Sequence, residues 1–260
     1  MILLESVTKH YPTPDGGSIA ALDNVDLEVR EGETLCLIGG SGSGKTTALR
    51  LMNHLVVPDA GEVRIAGEAI DPHGLVSLRR RMGYVVQGAA LFPHLTAAQN
   101  VGLLCDLEGW SRESIQERVA ELMSLVRMPV AEYGDRFPSE LSGGQRQRIG
   151  VARALALDPP IVLLDEPFGA LDPITRRELQ NEFLELSRGL RRTMVLVTHD
   201  LEEAFVLGDR VALLEAGQVL QVGTPQDLRD RPQTPHVAEF VTHNAPRTER
   251  NGPKPKERGR

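Results

Sequence analysis

The fold is decided by the stretch Thr34-Leu35-Cys36-Leu37-Ile38-Gly39-Gly40-Ser41-Gly42-Ser43-Gly44-Lys45-Thr46. Its first five residues form a continuous apolar run, which predicts a strand buried on both faces of a sheet. Residues 45–55 predict a helix with Leu49, Met52 and Leu55 on one face. The stretch therefore predicts a buried strand, a glycine-rich loop and a helix in direct succession.

The loop between strand and helix has the pattern G-x-x-x-x-G-K-[ST], which is typical of a phosphate-binding loop. Glycines let successive backbone N–H groups point into one concavity, and the helix N-terminus adds a partial positive charge. We expect Lys45 to reach the β- and γ-phosphates of a nucleotide and the Thr46 hydroxyl to bind Mg²⁺. A flexible Gly/Ser turn would explain the glycines but not the adjacent Lys-Thr pair. The candidate nucleotide-binding residues are Gly39, Gly40, Ser41, Gly42, Ser43, Gly44, Lys45, Thr46 and Thr47.

A second apolar run, Ile161-Val162-Leu163-Leu164, ends in the two carboxylates Asp165 and Glu166. We expect this pair at the carboxyl edge of the sheet, where the phosphate loop also lies. Asp165 would hold Mg²⁺, and Glu166 would orient or deprotonate an attacking water. The alternative interpretation is an acidic turn that caps the strand.

Composition narrows the class of protein. The 260 residues are 41% hydrophobic and 25% charged, as in ordinary globular domains. A net charge of −7 disfavours nucleic acid as a partner. Cys36 and Cys105 are too few for a disulfide framework or a zinc cluster. No apolar stretch is long enough to cross a bilayer, and no signal peptide pattern opens the chain, so we expect it to start in the cytoplasm.

Helical patterning dominates the chain from about Leu91 to Asp158. One apolar face recurs there at helical spacing, with Ser111 as the expected N-cap. That face consists of Ile115, Val119, Leu122, Met123 and Val126. Apolar strands return at 161–164 and 194–197, separated by a helix that Asp172-Pro173 begins. Buried strands alternating with helices predict a parallel sheet, so a helical insert interrupts an α/β core.

His199 comes shortly after the predicted strand 194–197. It is therefore expected at the same edge of the sheet as the phosphate loop. Asp200 and Glu203 resemble a capping box for the helix that comes next. The segment therefore has a purely structural explanation, and position alone does not give His199 a function.

The pentapeptide Leu141-Ser142-Gly143-Gly144-Gln145 allows two interpretations. Ser142 and Gln145 fit a capping box for the next helix. A helix N-terminus with a serine and two glycines is also an anion site. The order of phosphate loop, single Gln87, helical insert, this pentapeptide, carboxylate strand and His199 resembles the ATP-binding-cassette (ABC) ATPases.

The resemblance covers residues 3–228 and implies an α/β fold: a P-loop NTPase (RecA-like) core, an antiparallel β subdomain and an inserted α-helical subdomain. It divides the chain into an ATPase domain, an insert and a tail. The domain spans 1–235, with the insert at about 89–158 between core segments 1–88 and 159–235. Residues 236–260 form a C-terminal extension whose Pro, Arg and Lys content predicts disorder at its end.

In that family, two subunits face head to tail around two ATP molecules, and the LSGGQ pentapeptide of one caps the γ-phosphate held by the other. The resemblance therefore implies that Ser142, Gly143, Gly144 and Gln145 act in trans. It also implies that Tyr11 stacks on adenine. This sequence departs from the family pattern at Gly169, where many members carry serine. Glycine has no side chain, so a side-chain bond from that position is in question.

Three more roles follow from the resemblance. Gln87 would sense Mg²⁺ and the attacking water, although Gly88-Ala89-Ala90 replaces the polar residues often found after it. Asp172 would bridge the two subunits, with helix N-capping as its other role. His199 would steady the γ-phosphate and the water. ATP and Mg²⁺ are the implied ligands.

Several short sequence segments are similar to those in the ATPases of osmoprotectant importers. These importers take up quaternary amines such as glycine betaine, choline or carnitine. The matching segments are Leu51-Met52-Asn53, Leu78-Arg79-Arg80-Arg81-Met82-Gly83-Tyr84-Val85, Asp135-Arg136-Phe137-Pro138-Ser139-Glu140 and the residues from Pro167 to Arg176. The resemblance implies a homodimer at the cytoplasmic face of the membrane. Its partners would be transmembrane permease subunits and an extracytoplasmic substrate-binding protein, with no nucleic acid.

Two alternatives stay open at this point. Asp-Pro-Ile-Thr, at 172–175, also occurs in phospholipid-trafficking relatives, so a lipid-trafficking or export system is the first. The second is a cassette protein that acts on DNA or ribosomes without a transporter. One cassette, a short helical insert and a negative net charge disfavour it.

Overall fold

The computed structural model describes residues 1–169, 171–190 and 192–244. The strands are β1 (Ile2–Pro12), β2 (Ser18–Val29), β3 (Thr34–Ile38), β4 (Ala60–Ile65), β5 (Glu68–Ala69), β6 (Met82–Val85), β7 (Ile161–Asp165), β8 (Thr193–Val197), β9 (Arg210–Glu215) and β10 (Gln218–Gly223). The α-helices are α1 (Lys45–Met52), α2 (Leu75–Arg80), α3 (Ala97–Leu107), α4 (Arg112–Leu125), α5 (Val130–Tyr133), α6 (Gly143–Ala154), α7 (Pro173–Leu190), α8 (Leu201–Leu207), α9 (Pro225–Asp230) and α10 (Pro235–Asn244).

Two sheets organise these elements. An antiparallel sheet has the order β2-β1-β4-β5. A six-stranded sheet has the order β10-β9-β3-β8-β7-β6, in which every neighbouring pair is parallel except β10 and β9. The predicted parallel core and antiparallel subdomain are both confirmed.

The central strand β3 is buried along its whole length, as its unbroken apolar sequence predicts. Leu35 and Leu37 belong to the core between the two sheets and α1. Cys36 and Ile38 point to the opposite face and join the core formed with the inserted helices and α8. The strand therefore holds both layers together, and the loop after it leaves from the middle of the molecule.

Four helices, α3 to α6, lie in the chain between β6 and β7, within the predicted insert. The Oγ of Ser111 accepts a hydrogen bond from the Ser114 N–H and caps α4, as expected. Val119, Leu122 and Met123 on its predicted apolar face are buried. Helical periodicity in the sequence thus locates the packing face of this helix correctly.

Helix α1 is shorter than predicted. It ends at Met52 rather than at residue 55, because the chain turns at Asn53 and His54, where φ is +54°. The Asn53 Oδ1 accepts a hydrogen bond of 3.1 Å from the Leu55 N–H and stabilises this turn. Leu55, expected on the buried face, is 49% exposed. The alternative bond from an asparagine side chain outcompetes another helical turn.

The last described helix, α10, packs onto the core through Val237 and Val241. The predicted domain boundary at 235 and the extension 236–260 stay predictions. Residues 245–260, where a disordered tail is expected, lie outside the described residues. No helix within the described ranges is long and apolar enough to cross a membrane. Cys36 and Cys105 are both free and buried.

Candidate functional site

The glycine-rich loop between β3 and α1 depends on two glycines for its path. Gly39 has φ +145°, and a Cβ there would lie 2.0 Å from the Leu214 carbonyl oxygen of β9. Gly44 has φ +103°, and its Cβ would lie 2.3 Å from the Ala21 carbonyl oxygen. Any other residue would combine steric overlap with an unfavourable backbone conformation. The loop is therefore packed against β2 and β9.

Lys45 begins α1 and is buried, with only 7% of its surface exposed. Its Nζ donates hydrogen bonds to the carbonyl oxygens of Gly39 at 2.9 Å and Gly40 at 2.7 Å, and to the Ser43 Oγ at 3.2 Å. Burial lowers the pKa of this ammonium group, while the nearby Glu166 and Asp165 carboxylates oppose the shift. The loop thus encloses a positive charge that a polyphosphate would neutralise.

The Thr46 hydroxyl meets the end of β7. Its Oγ1 donates a 3.0 Å hydrogen bond to the Asp165 Oδ1. Burial raises the pKa of Asp165, and the bond from Thr46 opposes that rise. No group of three or more His, Cys, Asp or Glu side chains suited to a metal occurs in the described ranges. A hydroxyl and a carboxylate oxygen fit Mg²⁺, which keeps water and phosphate oxygens as its other ligands.

Glu166 contacts two of the other predicted site residues. Its Oε2 accepts a 2.8 Å hydrogen bond from the Gln87 Nε2, and its Oε1 lies 3.5 Å from the His199 Nδ1. The structure therefore brings together the ends of β6, β7 and β8, as parallel strands require. Glu166 itself has φ +45°, an uncommon backbone conformation for a residue with a side chain. The Glu166 carboxylate lies in the cluster, between Gln87 and His199.

A cavity of about 200 Å³ opens beside the loop. It is lined by Tyr11, Ala21, Gly42, Ser43, Gly44, Lys45, Thr46 and Thr47. Tyr11, in β1, thus lies beside the phosphate loop, where the family resemblance implies it. Its role in stacking on adenine stays a prediction. Ser41 is exposed at the crest of the loop.

The pentapeptide 141–145 lies in the insert, at the start of α6. The capping box is complete: the Ser142 Oγ accepts from the Gln145 N–H at 3.2 Å, and the Gln145 Oε1 accepts from the Ser142 N–H at 2.8 Å. Gly143 and Gly144 occupy the first two positions of the helix, whose N–H groups have no acceptor within it. The local interpretation is confirmed, and the role of all four residues in trans stays a prediction.

Asp172 caps α7. Its Oδ1 accepts a 3.1 Å hydrogen bond from the Ile174 N–H, and its carbonyl accepts from the Arg176 N–H. Asp172 is exposed, and bridging of two subunits stays a prediction.

The predicted capping box of α8 is only half correct. The Asp200 Oδ1 accepts from the N–H groups of Glu202 and Glu203, so Asp200 is the N-cap. The Glu203 carboxyl does not return to Asp200; its Oε2 accepts from the Thr198 Oγ1 instead. Glu203 is 4% exposed, because α8 turns it toward the core between β3 and α7. Sequence analysis assigned no role to Arg176, although Arg176 ends the matching segment that begins at Pro167.

Comparisons with known proteins agree with this geometry. A family model described as ABC transporter matches residues 22–169. Over 93% of its length the chain is 50% identical to the choline transport ATP-binding protein OpuBA of Bacillus subtilis, of which it covers 62%. Over 86% of its length it is 48% identical to the glycine betaine uptake system ATP-binding protein YehX of Escherichia coli, of which it covers 72%.

A solved structure gives the same result. The chain superposes with a TM-score of 0.79 on a dimeric ATP-binding cassette in a post-hydrolysis state bound to ADP and Pi, at 36% identity. The match covers 86% of this chain and 99% of the other. The chain spans less than two thirds of the length of the Bacillus subtilis relative. A family model that matches more than half of the residues, with the sheet order and loop geometry above, shows that the chain belongs to the ABC transporter family.

Proposed function

We propose that this chain is the ATP-hydrolysing subunit of an ABC importer and that the imported solute is a quaternary amine of the glycine betaine, choline or carnitine type. The names of four relatives that are 44 to 50% identical, which are choline, carnitine or glycine betaine transport proteins, support the solute class, whereas two relatives at 43 and 44% identity are named for sulfate/thiosulfate import. A phospholipid-trafficking or export role gains no support from those names, and neither does a role away from transport.

One observation carries the proposal of hydrolysis. Glu166 lies within bonding distance of Gln87 and His199, beside the buried Lys45 and the Thr46–Asp165 pair. A carboxylate, an amide and an imidazole thus converge where the γ-phosphate of a nucleotide in the loop would end. Phosphoryl transfer needs charge neutralisation and in-line positioning rather than covalent chemistry, and these groups provide both.

The chemistry of the chain's own residues follows from their positions. Lys45 would exchange its bonds to the Gly39 and Gly40 carbonyls for phosphate oxygens and neutralise their charge. Glu166 would orient the attacking water and accept its proton, while His199 steadies the γ-phosphate. Thr46 and Asp165 would hold Mg²⁺, directly and through water respectively, and the ion would supply further neutralisation at the phosphates.

Completion of the site requires a second copy of the chain. The open N–H groups of Gly143 and Gly144 and the Ser142 hydroxyl lie on the insert, whereas Lys45 lies at the core. Facing copies would place this anion site against the phosphates held by the other loop, with Asp172 at the junction. The dimeric arrangement of the solved cassette that this chain resembles supports that assembly.

The substitution Glu166→Gln tests the proposal. It keeps the side-chain shape and the bond partners but removes the base, so ATP hydrolysis should fall by about 10²-fold or more. The variant should also accumulate as a closed dimer with ATP and Mg²⁺, measured by size-exclusion chromatography with light scattering. Glu202→Gln, an exposed glutamate of α8, is the matched control and should keep normal turnover.

Two results would contradict the proposal. Normal steady-state hydrolysis by Glu166→Gln would exclude Glu166 as the base. A Glu166→Gln chain that stays monomeric with saturating ATP and Mg²⁺, even beside its membrane partner, would exclude the two-copy site.

The importer assignment needs a surface for the permease. The insert carries a largely apolar groove of about 900 Å³. Its lining includes Leu95, Leu103, Trp110, Ile115 and Val119. Trp110 is 40% exposed, and a short amphipathic helix of a permease subunit fits such a groove. The segment 87–94, with Phe92 44% exposed, adjoins it and links this surface to Gln87.

Transport measurements test that surface. With the permease and an extracytoplasmic binding protein present, Phe92→Ala and Trp110→Ala should uncouple uptake of labelled glycine betaine from ATP hydrolysis. Hydrolysis by the chain alone should stay near its normal rate. Full uptake by both variants would remove this surface from the proposal, and it would leave the hydrolytic site unaffected. Docking there would hold the chain at the cytoplasmic face of the membrane.

A further inference from the structure

The turn that carries His199 is held from behind by a buried side-chain bond. Thr198, the residue before it, is 2% exposed. Its Oγ1 donates a 3.0 Å hydrogen bond to the Glu203 Oε2 and accepts one of 3.0 Å from the Asp200 N–H. One hydroxyl therefore fixes both the start of the turn, at the end of β8, and its end, at the N-cap of α8.

Glu203 is suited to act as a neutral acceptor in this arrangement. Burial raises the pKa of its carboxyl group to about 8, and the Asp200 and Glu166 charges raise it as well. The bond from Thr198 and the charge of Arg176 oppose the rise. At neutral pH the group is protonated, so it holds Thr198 without placing a negative charge behind the site. It lines a cavity of about 510 Å³ between α7 and α8.

Arg176 connects the turn that carries His199 to the loop that follows Glu166. Its Nε donates to the Phe168 carbonyl at 3.3 Å, and its Nη2 donates to the Leu171 carbonyl at 3.1 Å. Its Nη1 lies 3.8 Å from the Asp200 Oδ2. The guanidinium group therefore spans from the loop after Glu166 to the residue after His199.

We propose that Glu203, acting through Thr198, and Arg176, acting through Asp200, are positioning residues that hold His199 at Glu166. The inference rests on the proposed hydrolysis of ATP. The described bonds of Glu203 and Arg176 go to the two turns, so their effect is on the geometry of His199. A displacement of about 1 Å at a reacting group costs up to about a hundredfold in rate.

The pair Thr198→Val and Thr198→Ser tests the role of Glu203 acting through Thr198. Valine keeps the size and branching of threonine but loses the hydroxyl, whereas serine keeps it. Thr198→Val should lower kcat by about tenfold or more with KM for ATP nearly unchanged, and the loss of the buried hydrogen bonds should also lower the melting temperature. Thr198→Ser should stay within about twofold of the wild type, since a hydroxyl at this position still bonds Glu203.

A second background separates positioning from a general packing effect. If Thr198 acts through His199, Thr198→Val should cause no further loss in a His199→Ala chain, measured by single-turnover phosphate release. A full tenfold loss in that background would show that Thr198 acts by another route and would overturn the inference.

The pair Arg176→Met and Arg177→Met tests the role of Arg176 acting through Asp200. The two arginines are adjacent residues of the same helix. Arg176→Met should lower kcat by about tenfold, and the exposed Arg177→Met should not. This pair decides the inference if Thr198→Val does not fold. Equal activity within each pair overturns the inference while hydrolysis by the wild type stands. A wild-type chain that does not hydrolyse ATP overturns the proposed function and this inference together.

Discussion

The N-termini of α1 and α6 are both glycine-rich and both are candidate anion sites. They differ in the number of N–H groups that they leave open. Gly44 precedes α1 and gives it no side-chain cap, so the first turn stays open toward the loop and Lys45. Ser142 precedes α6 and closes it with a reciprocal bond to Gln145. Only the first two N–H groups of α6 and one hydroxyl are left for an anion.

The two helix ends therefore differ in what they can bind. The α1 end has a buried ammonium, an open helix terminus and a metal-type oxygen pair, so it can hold a polyphosphate by itself. The α6 end has a stable local structure and a weak anion site, so it adds to binding only when a strong site is brought to it. On the proposed function, a subunit built this way would bind nucleotide alone and complete its site on association.

Mixing two inactive variants gives the largest expected effect. Lys45→Ala disables the α1 end and Ser142→Arg disables the α6 end, so each chain alone should lose nearly all hydrolysis. In an equal mixture, half of the dimers would carry one intact site of two, and activity should recover to about a quarter of the wild type. ATPase measurements on separate and mixed chains check this. No recovery would mean that the two ends do not complete one another across subunits.

Gly39→Ala should be the most damaging single change to the α1 end. Its Cβ would overlap the Leu214 carbonyl, so we expect a loss of about 4 kcal/mol or more in the free energy of unfolding. Gly40→Ala is the matched comparison, because a Cβ there meets nothing within 4 Å; its stability should change by less than about 1 kcal/mol. Urea unfolding distinguishes them, and equal stabilities would show that β9 does not support the loop.

Glu203, in α8, should make the stability of the chain sensitive to pH. Its pKa is about 8 in the folded chain, against an ordinary value of 4.5. Between these values only the folded chain keeps the proton, so the stability contributed by Glu203 is full below the lower pKa and is lost as pH rises through the higher one. Glu203→Gln should match the wild type near pH 4.5 and exceed it by roughly 4 to 5 kcal/mol above pH 8.

Urea unfolding across that pH range is the measurement, with Glu202→Gln as the exposed control. A stability difference between wild type and Glu203→Gln that is constant with pH would show that the carboxyl is not buried in its protonated form.

Ser142→Ala gives the smallest expected effect on stability and the clearest test of the α6 end. Loss of the cap should cost about 1 kcal/mol. Thr224 caps α9 with Asp227 in the same way, so Thr224→Ala should cost a similar amount. Only Ser142→Ala should also slow hydrolysis, by about tenfold, with nucleotide binding by the single chain unchanged. Equal hydrolysis by both variants would reduce the pentapeptide to a structural cap.

Local patterns predicted what depends on local physics. The phosphate loop, the Ser111 cap and the capping box of α6 all follow from neighbouring residues, and the structure contains each of them. The parallel sheet followed from alternation of apolar strands with helices. The carboxyl edge rule then placed Glu166 and His199 together correctly.

Contacts that depend on the folded core, or on a competition between two local bonds, could not be predicted in this way. Nothing near Gly39 in the sequence indicates that the Leu214 carbonyl closes off its Cβ position. The bond between Thr198 and Glu203 replaced a capping box because burial in the folded core, and not the spacing, decided where the carboxyl points. The helix after the loop ended early because Asn53 offered a competing bond.

The contact of Gly39 with β9 has a consequence for synthesis of the chain. β3 lies between β8 and β9, so the strand that leads into the loop receives both of its neighbours from the last third of the sequence. A nascent chain that has reached only residue 169 contains the whole loop motif without the strands beneath it. Acquisition of nucleotide affinity on the ribosome would therefore report that β9 has emerged and joined the sheet, long after the motif itself has been translated.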